Sequence, residues 1–128
     1  MSLIIQKKAT PKEIQEMSKH FKGYIKVVVD VERETLAGGG DRHFDDEKIL
    51  LMDGSKQENL WGGGFDMETK EIDYNSIINL RPNQENPSRD ILSIDIRKKF
   101  AEIVVTKQSS SSFGNFSNLV ATFRIMLP

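Results

Sequence analysis

The sequence contains no cysteine. This absence excludes disulfide bonds, thiolate nucleophiles and metal or iron–sulfur sites built on cysteine ligands. Long apolar runs are missing as well, since no stretch approaches the roughly 18 apolar residues that a membrane span needs. The apolar run at residues 3–5 is too short for the core of a signal peptide. We therefore expect a cytoplasmic protein with no membrane contact.

The glycine patterns of nucleotide-binding loops are also missing. A G-x-G-x-x-G pattern that starts at Gly38 would need a glycine at His43, and one that starts at Gly62 would need a glycine at Met67. No GxxxxGK occurs either. We therefore interpret the glycines at 38–40 and 62–64 as residues that supply positive φ angles near the ends of other elements.

The overall composition is typical of one globular domain. The chain has 128 residues, of which 38% are hydrophobic and 29% are charged. We expect residues 1–108 to form the domain. Residues 109–128 form a serine-rich link and an apolar tail, which we expect to add a strand to its own sheet or to the sheet of a second copy, giving a homodimer.

Hydrophobic periodicity and capping signals predict the elements. Thr10 and Glu13 form a capping box that starts a first helix, and a last helix begins near Ser93 or Asp95. Alternation over residues 24–31 predicts a strand with one buried face. The other predicted strands are listed together: residues 2–8, 36–38, 47–52 and 70–82.

These elements predict an α+β fold. We expect a mostly antiparallel sheet of four to five strands, packed against two main helices, the first and the last, on one side. A second capping box, from Ser55 to Glu58, predicts one short extra helix that runs to about Trp61 and is ended by the glycines at 62–64.

The segment AGGGDRHFDDE, residues 37–47, is the first candidate site. His43, Asp45 and Glu47 alternate, so on an extended segment they would face one side, with Asp30 as a fourth ligand for a divalent Mn, Fe or Zn ion. A plain turn, in which the histidine bonds a carboxylate, explains the same residues and is favoured. A third interpretation makes His43 the general base of an enzyme.

A second candidate site is the loop from Arg81 to Arg89, which is rich in Asn and Gln. Its arginines could bind a phosphate, and with Lys98 they could contact nucleic acid, although a pI near 6.1 argues against nonspecific nucleic-acid binding. Trp61, the only tryptophan, is either an aromatic lid on the sheet or the wall of a ligand pocket.

Several of these motifs occur together in one known family. The motifs are VVVDVE at 27–32, GG with HFDDE at 38–47, DGSKQ with LWG at 53–62, and INLRP with Gln84 and Asn86. With them, the chain resembles a family of short bacterial and archaeal proteins of unknown function, over residues 3–107. It departs from the family pattern at Glu34, where a turn glycine is usual, and at Glu85 and Pro87, which interrupt a Gly-Asn-Arg-Ser-like run.

The resemblance implies a compact mixed fold and supplies no reaction. We expect a binding or accessory module with a polar pocket near the 38–47 and 81–89 loops. The candidate ligand-binding residues are listed together: Asp30, Trp61, Arg81, Asn86 and Arg89. Two alternatives stay open: a metal-dependent, hydrolase-like enzyme that uses His43 with carboxylates, and a protein associated with nucleic acid.

Overall fold

The fold is taken from a computed structural model, which describes residues 2–19 and 21–107. The tail at 109–128, with its predicted strand and dimer contact, lies outside the described residues. The strands and helices are, in chain order, β1 (Leu3–Ile5), α1 (Pro11–Met17), β2 (Tyr24–Asp30), β3 (Thr35–Gly38), α2 (His43–Met52), β4 (Leu60–Asp66), β5 (Ile72–Asp73) and α3 (Ile94–Thr106).

The five strands form one antiparallel sheet in the order β1-β3-β2-β4-β5. β2 is the central strand, since it pairs with β3 on one side and along its whole length with β4 on the other. The predicted α+β class with an antiparallel sheet is therefore confirmed. Two longer helices, α2 and α3, and the shorter α1 accompany the sheet.

Helices cover both faces of the sheet. Val27 and Val29 of β2 pack with α1 and α3, whereas Val28 packs on the opposite face with Leu50 of α2. The first and last helices therefore lie on one side of the sheet, as predicted, and α2, which was not predicted, covers the other side. β2 consequently has two buried faces: Val28 and Asp30 are as fully buried as Val29.

Local capping signals predicted the starts of the first and last helices correctly, although α1 ends at Met17, before the expected end at Gly23. The Thr10 hydroxyl accepts a hydrogen bond from the Glu13 amide, and the Glu13 carboxylate accepts one from the Thr10 amide. Ser93 caps α3 by accepting from the Ile96 amide. These bonds satisfy amides that no residue inside the helix can reach.

The helix α2 replaces a predicted strand. Residues 47–52 were expected to be extended, but they form the C-terminal part of α2. Its start is stabilised by the Asp45 carboxylate, which accepts from the Arg42 amide. Apolar residues lie on both sides of the helix: Leu50 is buried, whereas Phe44, Leu51 and Met52 are exposed. A short apolar run of this kind does not distinguish a helix from a strand.

The strand β4 replaces the end of the predicted extra helix. Residues 57–59 form one 3-10 turn, and the glycines at 62–64 lie inside β4 instead of ending a helix. Ser55 accepts a hydrogen bond from the Arg33 guanidinium and caps nothing. The strand predicted over 70–82 is reduced to β5, followed by two 3-10 turns at 77–79 and 82–84.

Candidate functional site

The triple glycine of β4 lets neighbouring groups approach the sheet closely. A Cβ at Gly62 would lie 2.7 Å from the Ser76 Cβ, and a Cβ at Gly64 would overlap the Tyr24 ring. Gly62 and Gly64 are therefore required because they let Ser76 and Tyr24 approach the strand, and not, as predicted, because they supply positive φ angles. The neighbours that it admits, Tyr24 and Ser76, line a groove on the α2 side of the sheet.

This groove is open to solvent and has a volume of about 580 Å³. Its walls come from β2, from the start of α2 and from the segment that runs from β5 to residue 89. The lining residues are Tyr24, Lys26, Arg42, His43, Phe44, Asp73, Asn75, Ser76, Ile77 and Arg89. The 38–47 and 81–89 loops, in which a site was expected, each contribute to it.

Asp73 is the one carboxylate among the lining residues. Its Oδ2 accepts a 2.5 Å hydrogen bond from the Tyr24 hydroxyl, and its Oδ1 accepts from the Asn75 amide at 3.2 Å. Burial, and then the neighbouring Asp73, raise the pKa of Tyr24 well above its usual value, so the phenol stays protonated and donates. Both Asp73 oxygens are thus already engaged within the fold.

His43 is the first residue of α2 and is partly buried in the wall of the groove. Its Nε2 lies 2.6 Å from the carbonyl oxygen of Gly63. Burial lowers the pKa of His43, and the positive charges of Lys26 and Arg89 also lower it, whereas the Gly63 carbonyl and Asp73 act in the opposite direction. The imidazole is therefore neutral at neutral pH.

Three cationic side chains line the same groove. The Lys26 ammonium donates to the Asp41 carbonyl at 3.0 Å, and the Arg42 guanidinium pairs with the Asp45 carboxylate at 3.2 Å. In the part of the chain that the structure describes, the Arg89 guanidinium makes no hydrogen bond or ion pair. The groove therefore has more positive than negative charge, and one of its cations is uncommitted.

Of the five predicted ligand-binding residues, only Arg89 lines the groove. Asp30 is fully buried at the end of β2, where its Oδ1 accepts from the amides of Glu32 and Arg33. This carboxylate therefore holds the turn between β2 and β3.

Trp61 and Arg81 form a second cluster away from the groove. Trp61 is 3% exposed in the main core, and the Arg81 guanidinium stacks 4.0 Å from its ring centroid. The same guanidinium donates to the carbonyls of Gln57 and Leu60. Burial lowers the pKa of Arg81. The arrangement fits the first interpretation of Trp61, an aromatic lid on the sheet, and here the residue anchors a loop.

Asn86 organises the loop that carries Arg89. Its Nδ2 donates to the carbonyls of Asn79, Ser88 and Asp90, and its Oδ1 accepts from the Leu92 amide. Asn79 ties the same loop to β4, since its side chain bonds both the amide and the carbonyl of Gly62 and donates to the Arg89 carbonyl. These two buried amides position the Arg89 backbone beside the groove.

The proposed metal ligands do not project from an extended segment, because residues 43–47 are helical. His43 and Glu47 lie one turn apart, while Asp45 points elsewhere and pairs with Arg42, which lowers the pKa of Asp45. Within residues 2–19 and 21–107, no three His, Asp or Glu side chains form a group that could hold a metal ion. The geometry therefore gives the metal hypothesis no support.

Sequence reasoning missed Tyr24, Lys26 and Asp73. Ile25 and Val27 of β2 lie on the face that the alternation predicted to be buried. Tyr24 and Lys26 alternate with them, so they were expected on the solvated face. The signal that could have identified them is the triplet 62–64: three glycines inside a strand indicate that something packs closely against it.

The fold and the groove define a small α+β protein in which an antiparallel sheet lies between helices. The chain belongs to a family of proteins of unknown function, DUF5674, whose model matches residues 3–107. No curated protein and no solved structure matches the sequence significantly. In the described part of the chain, none of the helices has the length and apolar character needed to cross a membrane.

Proposed function

We propose that this protein is a binding module whose groove accepts a small anionic ligand. The observation that carries the proposal is the charge of the lining: Lys26 and Arg89, in addition to an Arg42 that pairs with Asp45, stand against the carboxylate of Asp73. That carboxylate already accepts two hydrogen bonds from the protein. A phosphate or carboxylate group would therefore meet uncompensated positive charge in the groove.

Two of the three cations are available to a ligand. Arg42 is compensated by Asp45, so its charge contributes little. Lys26 donates to a neutral carbonyl, and Arg89 has no side-chain partner in the described ranges. Arg89 and Lys26 are therefore the residues that we assign to the anionic group.

The dimensions and walls of the groove favour a small molecule. Its volume of about 580 Å³ lies in the range of small-molecule sites. Phe44 and Ile77, which are 54% and 56% exposed, present apolar surface on its rim that a ligand can cover. The whole chain has a pI near 6.1, so the positive charge is local, which suits a small anion better than a nucleic acid.

The test is a titration of the full chain with inorganic phosphate and with acetate at low ionic strength, followed by NMR. We expect shifts at residues of the groove. Arg89→Gln and Lys26→Met should each weaken binding about tenfold, as loss of a charge-assisted hydrogen bond does. Lys98→Gln is the matched control, because Lys98 is an exposed cation on α3, which packs on the other face of the sheet.

If neither phosphate nor acetate binds, the proposal is wrong. It is also wrong if Lys98→Gln weakens binding as much as Arg89→Gln and Lys26→Met do. The same samples test the two alternatives. A metal-dependent enzyme would bind Mn²⁺ or Zn²⁺ and lose this binding in His43→Ala. A nucleic-acid-associated protein would retard an RNA or DNA oligonucleotide in a salt-sensitive way, and Lys98→Gln would reduce the retardation.

A further inference from the structure

The hydrogen bond of His43 determines which of its ring nitrogens carries the proton. A backbone carbonyl oxygen accepts hydrogen bonds and cannot donate them. Since Nε2 lies 2.6 Å from the Gly63 carbonyl oxygen, the proton of the neutral ring must be on Nε2. The other nitrogen, Nδ1, then has a lone pair, and it makes no hydrogen bond with any residue that the structure describes.

From this arrangement we infer that His43 Nδ1 is the acceptor for a hydroxyl or amino donor on the ligand, next to the anionic group that Arg89 and Lys26 hold. The ligand class is thus a small hydroxylated or aminated acid or phosphate ester, not a simple anion. The inference rests on the proposed function of the groove and specifies what that groove selects.

The positions of the charges support this assignment. Lys26 and Arg89 both lie close enough to His43 for their charges to act on its ring. Lys26, Arg89 and His43 also line the same groove, so a ligand whose anionic group is held by the two cations lies in the cavity that the imidazole lines. Asp73 already accepts one hydrogen bond on each oxygen, from the Tyr24 hydroxyl and the Asn75 amide, whereas His43 Nδ1 accepts none from the described residues.

His43→Gln is a suitable variant because the glutamine amide nitrogen can occupy the place of Nε2. It retains a donor to the Gly63 carbonyl and removes the acceptor at the place of Nδ1, because its own acceptor, the amide oxygen, then points away from that edge of the former ring. Two pairs of probes differ in hydroxyl groups alone: lactate and propionate, and glycerol 3-phosphate and propyl phosphate. Their affinities are measured by calorimetry or NMR for the wild type, for His43→Gln and for the control Lys98→Gln.

We expect the wild type and Lys98→Gln to prefer the hydroxylated member of at least one pair by about fivefold, the effect of one net hydrogen bond. His43→Gln should bind both members equally, with the affinity that the wild type has for the unhydroxylated probe. Long-range proton–nitrogen NMR of the wild-type imidazole should show the proton on Nε2, a measurement that requires no variant.

The results separate the two proposals. Equal binding of both members of each pair by the wild type overturns the role of Nδ1 and leaves the anion site intact. A preference that survives in His43→Gln, or a proton found on Nδ1, also overturns that role. Binding of none of the four probes overturns the proposed function, and the inference falls with it.

Discussion

Two glutamates have left-handed backbone conformations. Glu34 has φ +55° in the turn between β2 and β3, and Glu85 has φ +58° after the 3-10 turn at 82–84. A residue with a Cβ adopts this region at a cost of about 1 kcal/mol, whereas glycine adopts it readily. A glycine at position 34 would therefore adopt the backbone of this turn without strain.

We predict that Glu34→Gly stabilises the protein by about 0.5–1 kcal/mol, because the strain of the left-handed conformation disappears. Urea unfolding of the variant and the wild type measures the difference. Glu32→Gly is the matched control: Glu32 is an exposed glutamate of the same turn and does not have a positive φ. It should destabilise slightly, since glycine there only increases the entropy of the unfolded chain. Equal effects of the two changes would contradict the explanation.

Asp46 makes stability depend on pH in an unusual direction. It is fully buried in the first turn of α2, and this burial raises its pKa to about 7, although the Ser2 hydroxyl and the Gly40 amide oppose the shift. The folded state therefore binds a proton that the unfolded state releases near pH 4. The contribution of Asp46 to stability is complete below the unfolded pKa and is lost as the pH rises towards 7.

We expect the wild type to lose at most about 1.4 kcal/mol of stability per pH unit between pH 4 and 7 from this group, and Asp46→Asn to lose less. Urea unfolding at several pH values checks the slope. The adjacent change Asp45→Asn should alter the dependence of stability on pH in the opposite direction. The Arg42 guanidinium lowers the pKa of Asp45, so its contribution is present above the unfolded pKa and is lost as the pH falls. An unchanged slope in Asp46→Asn would contradict the assignment.

At the scale of elements, the segment between β5 and α3 depends on side-chain amides because it has little regular structure. Asn79 is fully buried and makes four hydrogen bonds through its amide group, to the amide of Gly62 and to the carbonyls of Gly62, Tyr74 and Arg89. Its NH₂ group is the donor to all three carbonyls. The Asn79 side chain thus joins the segment to β4 by two hydrogen bonds, both to Gly62.

We predict that Asn79→Asp destabilises the protein by about 3 kcal/mol or more, because three buried carbonyls lose their donor and a carboxylate is placed among them. Thermal unfolding measures the loss. Asn83→Asp makes the same chemical change at an exposed position of the neighbouring 3-10 turn and should have little effect. Similar melting temperatures for the two variants would refute this role of Asn79.

The elements that could be predicted from the sequence are those whose signals are local. Thr10 and Glu13 are three residues apart, and Ser93 directly precedes α3, so capping identified both helices. α2 was missed because it is stabilised by packing against β2 and β3, which the residue pattern of the helix itself does not reveal. The groove could be predicted only in part. His43 and Arg89 could be identified as candidates from their residue types. That Tyr24 and Asp73 lie beside each other depends on the register of β2, β4 and β5.

At the scale of the whole molecule, β1 lies at one edge and β5 at the other edge of the sheet that the described residues form. The chain reaches Lys107 beside β1, since the Lys107 ammonium donates to the Gln6 carbonyl and the Ala9 amide donates to the Lys107 carbonyl. The described part of the chain pairs β1 with β3 only. An unpaired strand edge accepts a further strand.

We therefore propose, as the sequence led us to expect, that residues 109–128 supply this strand within one chain or between two. Sedimentation of the full chain and of a chain that ends at residue 108 distinguishes the cases. A strand exchanged between chains predicts a dimer that becomes a monomer on truncation. A strand added within one chain predicts monomers, with the truncated chain less stable. Identical mass and stability of the two chains would contradict both forms of the proposal.

The contact between Trp61 and Arg81 has a spectroscopic consequence. Because the protein has one tryptophan, buried to 97% under a guanidinium, its fluorescence comes from a single environment. Emission at this position reports the contact of the 81–86 loop with β4, next to the glycines against which Tyr24 and Ser76 pack. The native chain thus contains an intrinsic optical probe, and a change in emission during a ligand titration would reveal loop movement without any label.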